Sequence, residues 1–405
     1  MKEKGYKTGF TGKGWAPGKA MKNGEKRNLI GPVYNQIKLT PPGKFISNID
    51  YFENFKMFLK EKEKDEKFFF WVGGLEPHRA YEYKIGVNKG NKDTNSITDV
   101  PDFWPDSENV RNDMLDYAYE IEYFDHHLVK IISELEKNGL LDNTLIVVTS
   151  DNGMPFPRVK GQVYPFDNHL PLAIRWGKGI KNPGRVINDY FSFSDFAPTF
   201  LEAAGLAEEE NSMAPFSGKP WGAVFNDLPN PKPRKHMIIG KERHDVGREN
   251  DQGYPVRGIL KGNYFYSQNF KPERWPAGNP ETGYLNTDGS PTKTEILNLK
   301  RTDLTSSYWD YAFGKRPHQE LYDLENDPQC LINLAYESDY EALKNKLQNL
   351  LLSDLKKQGD PRALGQGDVF DQYPYAQEKM KNFYNRFMDG EKIRTPWVNP
   401  TDYEK

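Results

Sequence analysis

The segment Thr144-Leu-Ile-Val-Val-Thr-Ser-Asp-Asn-Gly-Met154 passes abruptly from β-branched apolar residues into Ser150-Asp151-Asn152-Gly153. Such a run predicts a buried strand, and the turn that ends it sets a carboxylate and an amide at the strand's C-terminal end, where open α/β sheets gather their chemistry. Asp151 offers a hard anionic oxygen and Asn152 a neutral one, a pair suited to a Ca²⁺ or Mg²⁺ ion that must also hold a substrate anion. The same residues would equally make a plain Asx turn with Gly153 at positive φ.

Two other loops carry tools of different kinds. In Gly12-Lys13-Gly14-Trp15-Ala16-Pro17-Gly18 the glycines permit close backbone approach and Lys13 can present a point charge to an oxyanion; the alternative is a tight turn with a solvated lysine. In Glu76-Pro77-His78-Arg79, His78 can protonate a leaving group and Arg79 can pair with a sulfate or carboxylate, although a lone histidine is as often structural. Arg158, Lys160 and His169 follow Asp151-Asn152 in a Pro-rich loop. Two oxygens, two cations and an imidazole describe a site for a divalent metal with an anionic substrate, or else a solvated loop.

These loops need elements to hold them. Apolar spacing predicts a helix over 49–64, a fully apolar strand over Phe68–Val72, and a long helix over 110–138 with Leu115, Ala118, Ile121, Leu128, Ile132 and Leu135 facing the core and Gly139 closing it. Strands follow at Leu145–Val148 and Leu170–Trp176, then a short helix at Phe193–Gly205 and a strand at His236–Gly240. Helix and strand alternate, which predicts an α/β fold with a mostly parallel central sheet flanked by helices. Beyond about residue 254 the pattern turns to Tyr- and Asn-rich hairpins, Glu320–Leu324 and a helix from Ser338 to Lys357, a smaller antiparallel α+β subdomain. The expected division is 1–253, 254–358, and a wrapping tail over 359–405.

Composition bounds the partners. The chain has 405 residues, 37% hydrophobic and 28% charged, enough for a large core, and its net charge of −3 gives no reason to expect nucleic acid or an anionic membrane. Cys330 is the single cysteine, so neither an internal disulfide nor a thiolate metal cluster can form. No run of about 18 apolar residues occurs.

In its motifs the chain resembles the sulfatase family. Gly5-Tyr-Lys-Thr-Gly-Phe-Thr-Gly-Lys13 is similar to "GYxTxxxGK", Thr144–Gly153 to "TxxVxTSDNG", Asp195-Phe-Ala-Pro-Thr199 to "DxxPT", and Glu320–Pro328 to "ELYDLxxDP". Glu76–Arg79, Asn152–Pro157, Lys241-Glu-Arg-His-Asp245 and Gly253-Tyr-Pro-Val-Arg257 resemble the N-sulfoglucosamine sulfohydrolase branch. The resemblance implies an alkaline-phosphatase-like fold, with Asp151 and Asn152 as ligands of Ca²⁺ (or Mg²⁺) and Lys13 and Lys160 as sulfate-binding cations. It also implies His78 as sulfate contact or leaving-group acid, and His244 and Arg257 as sugar-binding groups. Read by itself, His244 sits among charges after an apolar strand, in a substrate-facing loop or a surface turn. The expected partner is a sulfated saccharide, and the parent protein would be an exported one: periplasmic, extracellular or lysosomal.

Two departures bear on activity. Trp15 stands where the family commonly has a histidine two residues after the Gly-Lys lysine. No Cys- or Ser-x-Pro-x-Arg segment, the source of the formylglycine nucleophile, occurs, and Cys330 is followed by Leu-Ile-Asn-Leu. The resemblance therefore implies a sulfatase without roughly its first hundred residues, with two metal carboxylates, the nucleophile and a central strand lying upstream. The leading function is hydrolysis of a sulfate ester or sulfamate on a sugar, the nucleophile being absent from this sequence. The alternatives are a sulfoglycan-binding relic without turnover and a phosphoryl-transfer enzyme of the same superfamily, the latter disfavoured by only seven histidines without metal-ligand spacing.

Overall fold

The computed structural model describes residues 1–15, 20–206, 213–231 and 233–404; the end of the Gly-rich loop, 16–18, lies outside the described residues. The strands are β1 (Tyr6–Gly12), β2 (Met21–Lys22), β3 (Glu25–Lys26), β4 (Lys67–Gly73), β5 (Ile146–Thr149), β6 (Leu172–Arg175), β7 (Met237–Lys241), β8 (Val256–Lys261), β9 (Tyr264–Asn269) and β10 (Gln319–Asp323).

The α/β class holds, with helices against the strands and an antiparallel C-terminal sheet. β1 and β4 run parallel in register from Tyr6↔Lys67 to Gly12↔Gly73, so both chains leave the sheet at the same edge. β4 is apolar on both faces: Phe68, Phe70 and Val72 pack toward Phe55 and Phe58 of the helix Tyr51–Lys60, and Phe69 meets Phe200 of the helix Phe196–Ala203. Yet Trp71 is 48% exposed, short of the full burial its apolar run predicts. The cause is pairing: among the described strands β4 is hydrogen-bonded only to β1, and β5 only to β6.

β6 runs antiparallel to β5, Thr149 facing Leu172, in a two-stranded sheet of their own, while β1 and β4 are the parallel pair among the described strands. β7 also departs from expectation. It pairs antiparallel with β8 in the sheet β10-β9-β8-β7, which therefore starts at Met237, ahead of the boundary at 254. The helix Glu341–Lys357 covers that sheet, burying Leu347, Leu351 and Leu355 against Ile259, Tyr266 and Leu321.

The long helix is Glu108–Lys137, begun by Ser107, whose side chain accepts from the Val110 amide, and closed by Gly139 at φ +67°. Its buried face differs from the expected apolar stripe. Leu115 and Leu135 are buried, Ile121 is 42% exposed, and the buried stripe includes Asp113, Asp116, Glu120 and His127. Two of these hold loops: Asp113 accepts from Arg79 and Thr292, and Asp116 from the Lys84 and Gly86 amides. Beyond 359 the chain crosses back over the body: Tyr375 donates to Asp245 (2.9 Å), and buried Lys293 pairs with Asp402 (3.3 Å).

Candidate active site

The first wall is built where β1 and β4 end together. The Lys13 amide donates to the Gly73 carbonyl (2.7 Å) and the Trp71 indole donates to the Lys13 carbonyl (3.2 Å), which leaves the exposed lysine side chain at the sheet edge. After β4 the chain turns over a buried carboxylate. Glu76 accepts from the Ser47 amide (2.7 Å) and the Tyr51 hydroxyl (2.8 Å), two donors that hold the loop carrying His78.

His78 is exposed, with Nδ1 at 2.6 Å from the Arg79 carbonyl. A carbonyl only accepts, so Nδ1 carries the proton and Nε2 is the free ring nitrogen. Nε2 accepts in the neutral ring and donates from the imidazolium.

Arg79 lies inside the protein. Its Nη1 and Nη2 form a fork on Asp113 (2.7 and 2.8 Å), its Nε donates to the Pro155 carbonyl (2.6 Å), and its plane lies between Tyr81 and Phe156. The expected substrate cation is thus committed to a protein carboxylate. Its work is different: it rivets the His78 loop to the Asp151–Pro157 loop.

The second wall begins at the end of β5. Asp151 is exposed and Asn152 half-buried, with the Asn152 amide nitrogen donating to the Gly153 carbonyl (2.7 Å). Gly153 is required for close approach, not for a positive φ, since a Cβ there would stand 2.2 Å from the Phe166 carbonyl oxygen. Its amide donates to Asp167 Oδ1 (3.0 Å), and the Gly161 amide donates to Asp167 Oδ2 (3.1 Å). One buried carboxylate therefore straps the Asp151 turn to the segment carrying Lys160. Burial raises Asp167 to about 6 against the pull of those amides. Phe156 and Val159, fully buried in the main core, anchor the loop between.

Around Lys160 the charges interlock. Its Nζ pairs with Asp288 Oδ2 at 2.8 Å, both side chains largely buried. Lys241 donates to the Gly161 carbonyl, and burial lowers it to about 7. Gly161, at φ +76°, lets the His244 ring lie against it: a Cβ there would stand 2.9 Å from the imidazole. Burial first, then Lys241 and Lys160, push His244 down to about 4.

His244 is thereby neutral through the weakly acidic range. Its folded value is depressed below 6.5, so its contribution to stability is present above pH 6.5 and is lost as the pH falls through about 4. An imidazole proton titration by NMR is expected to show a midpoint near 4, and a midpoint near 6.5 would show that the surrounding protein and the two lysines leave the ring unperturbed.

The structure thus brings together Lys13 and His78 at one pair of strand ends, and Asp151, Asn152, Lys160 and His244 around Asp167, with Arg79 joining the two walls. Other expected contributors stand apart. Arg158, at φ +67°, turns into the core, stacks on Tyr164 at 4.2 Å and donates to the Tyr311 and Cys330 carbonyls. Arg257 donates to Asp360, Glu242 and the Lys241 and Val256 carbonyls, which occupies the fork expected for a sugar. His169 is exposed, its amide donating to the Pro165 carbonyl at the end of the short helix Pro165–Asn168. Trp15 is 51% exposed, and Cys330 is buried in an apolar cluster that pushes its thiol far up, away from nucleophilic use.

Sulfatases generally use a metal ion and formylglycine. Asp151 and Asn152 supply two oxygens where Ca²⁺ takes about six to eight, and among the described residues no group of three or more His, Cys, Asp or Glu is arranged for a metal. The residues present do not complete such a site. The chain is accordingly expected to bind Ca²⁺ more weakly than micromolar in a calorimetric titration, and micromolar affinity would reveal ligands beyond this pair.

Asp113, Asp167 and Asp288 carry much of this geometry, and no motif marks them; Lys241 stands in a quoted motif but with no role expected of it. Asp167, in the short helix Pro165–Asn168, and Asp288, in a loop, are single acids whose partners lie 6 and 128 residues away in sequence. The quoted motifs themselves prove structural in part: Asp195 caps its helix and pairs with Arg234, while Glu320 gathers Tyr164, Tyr322 and Asn269.

Comparison with known proteins gives the family. The sulfatase family model matches residues 1–206. An ulvan-active sulfatase of Formosa agariphila is 29% identical over 259 residues, 62% of this chain and 39% of that protein. The N-sulphoglucosamine sulphohydrolase of Homo sapiens is 25% identical over 317 residues, 72% of this chain and 61% of that protein. A solved 2-O GAG sulfatase shares the fold with TM-score 0.53 at 14% identity, over 89% of this chain and 73% of its own. The chain spans between 39% and 61% of the length of the two curated relatives. No helix of the described residues is long and apolar enough to cross a membrane. With a family model that matches more than half of its length, the chain belongs to the sulfatase family.

Proposed function

We propose that this chain forms the anion-binding part of a sulfohydrolase acting on a sulfated sugar, an N-sulfated glucosamine or a related glycosaminoglycan unit. The observation that carries the reading is Lys160 held between Asp288 and the Asp167 strap, beside neutral His244, in a loop that Arg79 ties through the Pro155 carbonyl to the loop of His78. The names of the relatives, one active on ulvan and one on N-sulphoglucosamine, support the substrate class.

In this reading the sulfate displaces Asp288 from Lys160 and takes its charge, with Lys13 approaching from the first wall. His244, held neutral but with its ring open to solvent, hydrogen-bonds the sugar without adding charge. His78, oriented by the Arg79 carbonyl, gives its Nε2 proton to the departing amine or alcohol and so needs its charged form. The attacking nucleophile is formylglycine, generated in sulfatases from a Cys- or Ser-x-Pro-x-Arg segment, which this sequence does not contain. A sulfoglycan-binding protein without turnover uses the same walls, and activity of a chain extended upstream separates the two.

The substrate class is tested by calorimetry with N-sulfoglucosamine, glucosamine 6-phosphate and glucosamine. N-sulfoglucosamine is expected to bind at least about tenfold tighter than either other ligand. Preference for the phosphate would instead support a phosphoryl-transfer site, and equal binding of all three would remove the sulfate from the argument.

A further inference from the structure

A groove of about 500 Å³ opens beside the anion-binding walls, with no role in the reading given so far. It is continuous with them in the chain: its lining includes Arg79, which follows His78, and Gly289, which follows the Lys160 partner Asp288. Two aromatics project from its rim. Phe45 is 68% exposed and held at φ +71°, a conformation that bulky residues rarely adopt, and Tyr83 is 49% exposed.

Its polar groups are neutral or acidic. The Tyr83 hydroxyl donates to Asn109 Oδ1 (2.8 Å), and Asn109 Nδ2 donates to Glu295 Oε2 (2.9 Å). That chain leaves an amide N–H, a carboxylate oxygen and the phenol lone pairs, a mixture of donors and acceptors that suits hydroxyls. The single cation of the lining, Arg79, is forked on Asp113, while Asp116 and Glu295 add further negative charge. A sulfate would meet carboxylates here with no cation to receive it. A hydroxyl or an ammonium group would not.

We propose that this groove is a second sugar subsite, taking an unsulfated hexose or a free-amine glucosamine linked to the sulfated residue. The proposal rests on the sulfated-sugar reading above and extends it: the substrate is at least a disaccharide with sulfate on one ring only. Aromatic rims that stack on the apolar face of a sugar ring, with amides and a carboxylate for its edge, are what a pocket of 300–1,000 Å³ needs for orientation and specificity.

The test uses three ligands on the full chain and on the Tyr83→Ala, Phe45→Ala and Lys160→Ala variants, read by calorimetry and saturation-transfer NMR. The ligands are the unsulfated glucosamine dimer, N-sulfoglucosamine, and the dimer with one N-sulfate. The unsulfated dimer is expected to bind weakly, with binding lost in Tyr83→Ala and Phe45→Ala and kept in Lys160→Ala. The mono-N-sulfated dimer is expected to bind about tenfold tighter than N-sulfoglucosamine, a gain that Tyr83→Ala abolishes. No binding of the unsulfated dimer, or a gain that survives in Tyr83→Ala, overturns the subsite. Equal affinity for a dimer sulfated on both rings overturns its charge selectivity. Loss of N-sulfoglucosamine binding in Lys160→Ala with no effect on the unsulfated dimer keeps the two sites distinct; an indifferent Lys160→Ala removes the sulfated-sugar reading and leaves the neutral-sugar groove standing.

Discussion

The 405-residue chain is expected to release no sulfate from N-sulfoglucosamine, and the same chain extended upstream by a segment carrying Cys-x-Pro-x-Arg, matured to formylglycine, is expected to release it. The reason is a division of labour. Lys13, Lys160 and His78 stabilise charge or move a proton, and none of them forms the covalent bond to sulfur. Cys330 cannot replace the nucleophile, being 1% exposed, in an apolar cluster that favours the neutral thiol, and without the Pro and Arg of the maturation motif. Because typical enzyme accelerations exceed about a millionfold, the contrast should be all or nothing in a sulfate-release assay. Turnover by the chain alone at rates like those of the extended form would place a nucleophile among residues given other roles here.

Replacing Asp113 by Ala is expected to cost about 3–5 kcal/mol of folding stability, since it leaves the Arg79 guanidinium buried without its carboxylate. The exposures of the two side chains are 4% and 1%, so water cannot substitute for the lost partner. Thr292, whose hydroxyl donates to Asp113 Oδ2 at 2.6 Å, loses its acceptor in the same step. Urea denaturation of the variant gives the cost. The double variant Asp113→Ala with Arg79→Met should recover part of it by removing the stranded charge. A loss below about 1 kcal/mol would mean that the pair is hydrated in solution and that the rivet between the two loops is weaker than the geometry shows.

The elements were legible where their own residues decide them. The β-branched run before Asp151, the apolar run of β4 and the Gly139 terminus each carry a local signal, and each element lies within two residues of its expected place. Direction was not legible. β6 and β7 are apolar runs like any other, and only pairing with β5 and β8 makes them antiparallel. Placement was legible in part: Lys13, His78 and Asp151 lie in the loops that follow β1, β4 and β5, as their apolar runs predict. The arginines were not. Residue type alone does not distinguish an Arg free for an anion from Arg79, Arg158 or Arg257, each committed to partners from 15 to 172 residues away. Asp167 and Asp288 escaped notice for the same reason, because their role consists wholly of what they hold.

Lys160 is the point on which the account turns, and a calorimetric titration of N-sulfoglucosamine into the chain and into its Lys160→Ala and Asp288→Ala variants tests it directly. Lys160→Ala is expected to weaken binding by about ten- to a hundredfold, the range of a charge-assisted contact, and Asp288→Ala to strengthen it, since the carboxylate that competes with sulfate at 2.8 Å is gone. Equal affinities for all three proteins would show that the Lys160–Asp288 pair is a structural ion pair and that sulfate binds elsewhere.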